Sequence, residues 1–342
     1  MNLFENNEYN YELEEIIKLN LPFEQFKNKT FLITGGTGLI GSSFIEVLLK
    51  LNKKGYNCKI YCICRNIDFA KKRFLPDNNL IFIKHDISKE LNIDDHFDYI
   101  LHLASNTQPK KYAEEPVETI LTNILGLQNV LNLADINTRV LFTSSCEIYG
   151  ENRNDIDSFT EDYCGYINCN TLRAGYTEGK RCSEALCQAY IKQFNKDIVI
   201  ARLARVYGPS ILKNDTRAIN QFLNKALNNE DVILKSEGKQ EYSFLYSMDA
   251  VSGLFTILLK GKTGEAYNVS DEKSDITLKE LAYLIAKEKN VKVKFELPSE
   301  LEKSGYSVVM KSKLDNSKLK SLGWSANYNI KTGIKNTISI LK

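Results

Sequence analysis

Histidine is scarce in this chain, with three in 342 residues at positions 85, 96 and 102, too few and too poorly spaced for a metal centre. Paired cysteines are missing as well. The eight cysteines include no Cys-x-x-Cys, and several fall inside expected strands or helices, as reduced thiols do, so a reducing, cytoplasmic home is expected. No apolar run approaches membrane-spanning length. The first residues, MNLFENNEYNYELEE, are acidic and polar where a secretory leader would be basic and then apolar, so the chain reads as soluble with no membrane partner. Charge is not segregated either: 45 Lys and Arg face 43 Asp and Glu with no long block of one sign. Nucleic acid and acidic lipid are therefore not expected partners, whereas small anionic ligands are open.

What the chain does have is Phe31 to Phe44, FLITGGTGLIGSSF. A short apolar run, glycines at 35, 36, 38 and 41, and then apolar residues at helical spacing read as strand, tight turn and helix. In a dinucleotide-binding turn Gly35 makes the bend, Gly38 lets the backbone approach a pyrophosphate, and Gly41 lets the helix pack on the strand. Further strands are expected at Lys59 to Cys64, Leu80 to Ile83, Tyr99 to Leu103, Val140 to Ser144 and Ile198 to Leu203, with helical stretches between several of them. The fold class is α/β, a doubly wound parallel sheet with a smaller C-terminal α/β part, since the length exceeds one ordinary core. The expected division is an extension over 1–28, a dinucleotide-binding domain over 29–207 to which later segments can return, and a substrate part over 208–342. In the extension, Leu13, Ile16, Ile17, Leu19 and Leu21 form the apolar side of a short helix ended by Pro22.

Ligands of such sheets bind at the carboxyl ends of the strands. The second expected strand ends at Cys64 and is followed by Arg65, with no acid before Asp68. An acid there would hold the ribose hydroxyls of NAD, whereas an arginine accommodates a 2′-phosphate, so NADP(H) is favoured and NAD(H) is the alternative. The third strand leads to Asp86 and Ile87, placed to meet adenine or to cap the next helix. The fourth ends in LHLAS, whose small Ala104 and Ser105 let a dinucleotide lie against the backbone. The fifth runs into TSSCEIYG, and about thirty residues on comes GYTEGKR, with Tyr176 and Lys180 one helical turn apart on one face. A neighbouring ammonium is expected to lower the phenol's pKa, so that Tyr176 exchanges a proton with a substrate hydroxyl while a nicotinamide carries hydride and Ser145 orients the oxygen. A second Tyr-x-x-x-Lys, Tyr283 with Lys287, lacks the glycine turn and the serine-rich strand end and reads as an ordinary surface helix.

TGGTGLIG, HDI, LHLAS, TNILG, SSCEIYG, YTEGK and RVYGP, followed by GEAYNVS and SKLKSLGW, stand in an order and spacing that resembles the extended short-chain dehydrogenase/reductases of the nucleotide-sugar epimerase and dehydratase family. The resemblance spans most of the chain. It implies a Rossmann domain with Gly35, Thr37, Gly38, Leu39, Ile40 and Gly41 around the pyrophosphate, Asp86 and Ile87 at adenine, and Leu103, Ala104, Ser105 and Asn123 along the cofactor. Ser145, Tyr176 and Lys180 become the catalytic set, with Lys180 on the nicotinamide ribose. The substrate is a nucleotide diphosphate sugar, contacted at Thr107, Cys146, Glu147, Arg205 and Tyr242, and the assembly is a homodimer on long helices.

Departures from the family pattern bear on the reaction. Glu147 matches a glutamate that dehydratases and UDP-glucuronate decarboxylases carry, yet Cys146 stands where dehydratases have Asp or Ser. Tyr242 replaces an arginine that grips the diphosphate, and Arg205 stands where many relatives have Asn. With Arg65 pointing to NADP(H), the leading expectation is net reduction of a nucleotide-linked ketose to an alditol, as in some capsule-pathway relatives that make surface polysaccharide. A dehydratase, decarboxylase or epimerase with an internally recycled hydride is the alternative, and a non-catalytic dinucleotide sensor the third reading.

Overall fold

Along Thr30–Thr34 the side chains of Phe31 and Ile33 join one apolar cluster and Leu32 the other, and all three are fully buried. A strand that is apolar on both faces must be covered on both, as in a parallel sheet wrapped by helices. The computed structural model, which describes residues 3–153, 155–212, 215–299 and 309–342, has this architecture. Its first half runs α1 (Asn7–Ile17), β1 (Thr30–Thr34), α2 (Leu39–Lys53), β2 (Lys59–Cys64), α3 (Ile67–Arg73), β3 (Leu80–Lys84), β4 (Tyr99–His102), α4 (Pro109–Glu114), α5 (Pro116–Leu133), β5 (Arg139–Ser145), α6 (Ala174–Phe194) and β6 (Asp197–Leu203). The second half adds β7 (Arg205–Tyr207), α7 (Ala218–Leu227), β8 (Val232–Leu234), β9 (Glu241–Tyr246), α8 (Ser247–Lys260), β10 (Ala266–Val269), β11 (Asp275–Thr277), α9 (Leu278–Glu288), β12 (Val293–Phe295) and β13 (Lys311–Ser312), and a C-terminal helix, Ile330–Leu341.

Seven parallel strands form the main sheet in the order β10-β6-β5-β4-β1-β2-β3. The order reverses between β1 and β4, and a crevice opens at their carboxyl ends. Phe44 of α2, Phe255 of α8 and Leu13 of α1 pack with Phe31, Ile33 and Leu141 on one face. Leu127 and Val130 of α5 and Cys187 of α6 pack with Leu32, Ile100 and Val140 on the other. The six expected strands are β1 to β6, each within one residue at either end. The seventh, β10, comes from beyond residue 207 and returns to the sheet edge beside β6. The smaller part is built on β9, which pairs with β7, β11 and β13, while β8 pairs with β12.

Fully buried Asn268 on β10 joins distant segments. Its Oδ1 accepts from the Tyr149 hydroxyl at 2.6 Å, its Nδ2 donates to the Phe159 and Asp315 carbonyls at 2.9 Å each, and its N–H donates to Glu161 at 2.7 Å.

The extension differs from its expected form. α1 stops at Ile17, where the Lys18 N–H turns back to the Glu14 and Ile16 carbonyls, well before Pro22. Pro22 instead leads a 3-10 turn, Phe23–Phe26, which sets Phe26 edge-on to Phe31 and Tyr99, at 5.1 Å between ring centres in both cases. Such aromatic pairs add about 0.5 to 1.5 kcal/mol beyond area burial.

Candidate active site

The turn after β1 forms the first wall. Gly35 has φ +69°, and a Cβ there would lie 2.7 Å from the Leu103 carbonyl carbon, so only glycine lets the turn abut the end of β4. At Gly41 a Cβ would lie 2.4 Å from the Gly35 carbonyl oxygen, so α2 could not start so close to the turn with a larger residue. Gly38 caps α2 with no side-chain hydrogen bond, which leaves first-turn N–H groups available at the positive end of the helix dipole. A cleft of about 630 Å³ opens here, lined by Gly35, Thr37, Gly38, Leu39, Ile40 and Gly41. This cradle fits the pyrophosphate of a dinucleotide.

Further along the cleft lie Arg65, Asp86, Ile87, Leu103, Ala104, Ser105 and Thr107. Arg65 is exposed. The Asp86 carboxylate accepts from Ser88 Oγ at 2.8 Å and Ser88 N at 3.0 Å, and these bonds, with the charge of Arg65, hold it below the usual carboxylate range. Asn123 is the one expected cofactor residue that does not line the cleft. It is fully buried behind Ser105, whose hydroxyl donates to its Oδ1 at 2.9 Å, and its Nδ2 is taken by the Thr119 carbonyl at 2.8 Å.

At the reaction end, Ser145 finishes β5 and caps the 3-10 turn Cys146–Tyr149, accepting from the Glu147 N–H at 3.2 Å. Tyr176 and Lys180 enter from α6, and both are buried at 5% and 2% exposure. Burial pushes the Tyr176 phenol up to about 12, against the pull of its hydrogen bond with Ser145. Burial also pushes Lys180 down to about 7, and its Nζ donates to the Thr143 carbonyl at 2.7 Å and sits 4.8 Å from the centre of the Phe142 ring. The expected depression of the tyrosine pKa is thus reversed, because burial of the phenol is the largest influence on it.

Glu147 is the electrostatic centre. Its Oε2 accepts from Arg173 Nη2 at 2.6 Å and its Oε1 from Arg205 Nη2 at 3.2 Å. Burial alone would raise this carboxyl, but the two guanidinium charges win and hold it below its usual range. Cys146, buried beside it, goes the other way: burial pushes the thiol up although Arg205 Nη1 lies 3.5 Å from its sulfur. β7 sets Arg205 opposite Phe244 of β9, two residues from Tyr242, and the guanidinium lies 3.6 Å from the centre of the Tyr242 ring. Cation and ring attract at this distance.

Arg173 and Tyr112 were not among the expected site residues. The Tyr112 ring stacks on Tyr176 at 4.8 Å, with the Arg173 guanidinium 4.6 Å from it. Arg173 keeps two buried nitrogens, Nε and Nη1, with no partner among the described residues. Its position three residues before Tyr176, one helical turn away, is the signal that marks it.

The sequence over residues 31–270 matches the NAD dependent epimerase/dehydratase family. A UDP-glucuronic acid decarboxylase 6 of Arabidopsis thaliana is 32% identical over 309 residues, covering 90% of this chain and 87% of that protein. A UDP-glucuronic acid decarboxylase 1 of Xenopus tropicalis is 34% identical over 235 residues, 67% of this chain, and the chain spans about half (53%) of its length. The crystal structure of UDP-glucuronic acid 4-epimerase from Bacillus cereus, in complex with UDP-glucuronic acid and NAD, superposes with TM-score 0.76 at 22% identity, over 91% of this chain and 98% of that one. With the glycine turn, the sheet order and the Ser145, Tyr176 and Lys180 cluster in place, the chain belongs to the NAD-dependent epimerase/dehydratase family.

Proposed function

We propose that this protein holds a nicotinamide dinucleotide and a nucleoside diphosphate sugar in the cleft, oxidises one sugar hydroxyl and returns the hydride before product leaves, acting as a decarboxylase of a nucleoside diphosphate hexuronate. The observation that carries this reading is the clasp of Arg173 and Arg205 around Glu147 beside Tyr176. Its net charge is positive, suited to a sugar carboxylate. Elimination of water needs an acid and a base at this place. A carboxylate held below its usual range is a weak base, and a thiol pushed up by burial is a weak acid. Loss of carbon dioxide from a β-keto acid needs no base at carbon: it follows oxidation of the hydroxyl next to the carbon that bears the carboxylate. The broken C–C bond leaves its electron pair as an enolate, and that carbon then takes one proton from water. Ser145 and Tyr176 hold the reacting hydroxyl, and Tyr176 takes its proton and later gives one back. When bound, the nicotinamide supplies the hydride acceptor and donor. The decarboxylases among the relatives support this reading. Net reduction of a nucleotide-linked ketose, the leading expectation from the sequence, has no such support.

Cofactor choice belongs to the same proposal. No acid follows β2 before Asp68, and Arg65 lines the cleft there, so NADP(H) is preferred although the epimerase structure above holds NAD. Assembly is proposed as a homodimer through α5 and α6, since Val117 and Leu121 on α5 are 60% and 42% exposed and apolar.

The test is incubation with each dinucleotide and a panel of nucleoside diphosphate glucuronates and glucoses, following product mass and nicotinamide absorbance. Loss of carbon dioxide without lasting change in absorbance is the expected result. Loss of water would replace the decarboxylase by a dehydratase, and stoichiometric oxidation of NADPH by a ketose would restore the reductase.

A further inference from the structure

The residues before β1 lie outside the stretch matched to the family, yet they are rooted in the core, with Tyr9, Leu13 and Phe26 fully buried. Tyr9 is the polar one of these. Its hydroxyl lies 3.0 Å from Ser43 Oγ, near the start of α2. Ser43 Oγ lies 3.1 Å from Ser210 Oγ, and Ser210 Oγ is 2.7 Å from the Leu39 carbonyl oxygen. The direction of this chain follows from counting protons. A carbonyl only accepts and each hydroxyl has one proton. Ser43 Oγ also lies 3.5 Å from the Leu39 carbonyl oxygen, so whether Ser43 gives its proton to Ser210 or to Leu39, Tyr9 is the donor to Ser43. Tyr9, Ser43 and Ser210 are all fully buried, and burial pushes the phenol above its ordinary range, so it remains a donor.

The chain ends at the ligand cleft on two sides. Leu39 lines it at the start of α2, and Ser210 opens a stretch whose Leu212 lines it too. Arg73 of α3 adds a second tie, donating to Ser42 Oγ at 2.9 Å and to the Ser210 carbonyl. The middle of α1 is anchored elsewhere: Glu12 accepts from the Tyr246 hydroxyl and from Asn336 Nδ2, at 2.7 Å each.

We propose that the N-terminal extension is a positioning element of the ligand cleft: Tyr9, through Ser43 and Ser210, fixes the first turn of α2 together with the Gly208–Leu212 stretch, so the dinucleotide cradle and the adjoining cleft wall are set as one. The inference rests on the dinucleotide reading of the cleft.

Tyr9→Phe keeps the ring and removes only the donor. Calorimetric titration of the full-length variant with NAD and NADP is expected to show dinucleotide binding about three- to tenfold weaker than in the unsubstituted protein. Ser210→Ala should do the same, and the double variant should be no worse than the weaker single one, because both break one chain. Tyr246→Phe, which releases α1 from β9 instead, should lower the melting temperature without changing dinucleotide affinity. Unchanged affinity in Tyr9→Phe, or an equal loss in Tyr246→Phe, overturns the inference alone. No dinucleotide binding by the unsubstituted protein overturns the reading of the cleft and this inference with it.

Discussion

Tyr176 with Lys180 and Tyr283 with Lys287 share one spacing on two helices, and their surroundings are opposite. The first pair is 5% and 2% exposed beside the cleft, with Tyr112 stacked on the tyrosine. The second lies on α9, where Leu281, Ala282, Ile285 and Ala286 are buried and Tyr283 stands 49% exposed. A capping box of Thr277 and Glu280 starts that helix, and its burial pattern accounts for the rest. The spacing makes two side chains neighbours, and at the first pair burial beside the cleft moves the phenol to about 12 and the ammonium to about 7.

The comparison breaks most visibly at the two tyrosines. Tyr176→Phe should leave dinucleotide binding largely intact and lower turnover by about a hundred- to ten-thousandfold, the range for a general acid–base group, while Tyr283→Phe leaves turnover unchanged. Equal behaviour in steady-state assays would make the spacing irrelevant at both sites. Glu147→Gln comes next, because it leaves two guanidinium groups without their anion. Turnover should fall by about ten- to a hundredfold, roughly 1.4 to 2.8 kcal/mol, with no oxidised sugar accumulating in a single turnover. A trapped ketosugar with reduced cofactor would mean that Glu147 removes a proton from carbon, as in a dehydratase.

Arg65→Ala should erase most of a preference for NADP(H) over NAD(H) of about 1.5 to 3 kcal/mol, measured as the ratio of dissociation constants, and equal affinities in the unsubstituted protein would refute it. The smallest effect sharpens the comparison at the lysines. Between about pH 7 and the ordinary lysine value near 10.4, the unfolded chain holds a proton at Lys180 that the folded chain has lost, so this group makes stability rise with pH in that window. Lys180→Met should therefore be most stabilising, relative to the unsubstituted ligand-free protein, below about pH 7, with the difference shrinking toward pH 10. Lys287→Met, at an exposed position, should change the melting temperature little at pH 7.

Strand positions were legible because a short unbroken apolar run marks a strand covered on both faces, and the glycine turn and the Tyr176–Lys180 pair were legible because their spacing is local. Depth was not. That Asn123 stands one layer behind Ser105, that Lys180 loses its charge tendency, and that the tyrosine pKa moves up depend on what packs around them from distant segments. For Arg173 the sequence offers its place one turn before Tyr176, while its burial against Glu147 and Tyr112 depends on segments distant in the chain. Pro22 misled by position: the backbone of α1 had already ended its own hydrogen-bond ladder at Lys18.

Asn268 gives the chain's path a practical consequence. The strand that carries it belongs to the second half of the sequence but completes the edge of the first half's sheet, and its side chain ties Tyr149, just past the reaction end, to Asp315 near the C-terminus. No single cut after residue 207 would yield two autonomous fragments. The amino-terminal piece would expose the unsatisfied edge of β6, and the carboxyl-terminal piece would hold a strand with no sheet to join. Nicking in the polar loops of the second half would reach Tyr149 and the turn that begins at Ser145 through that one amide, so catalytic competence should fall as the tail is nicked.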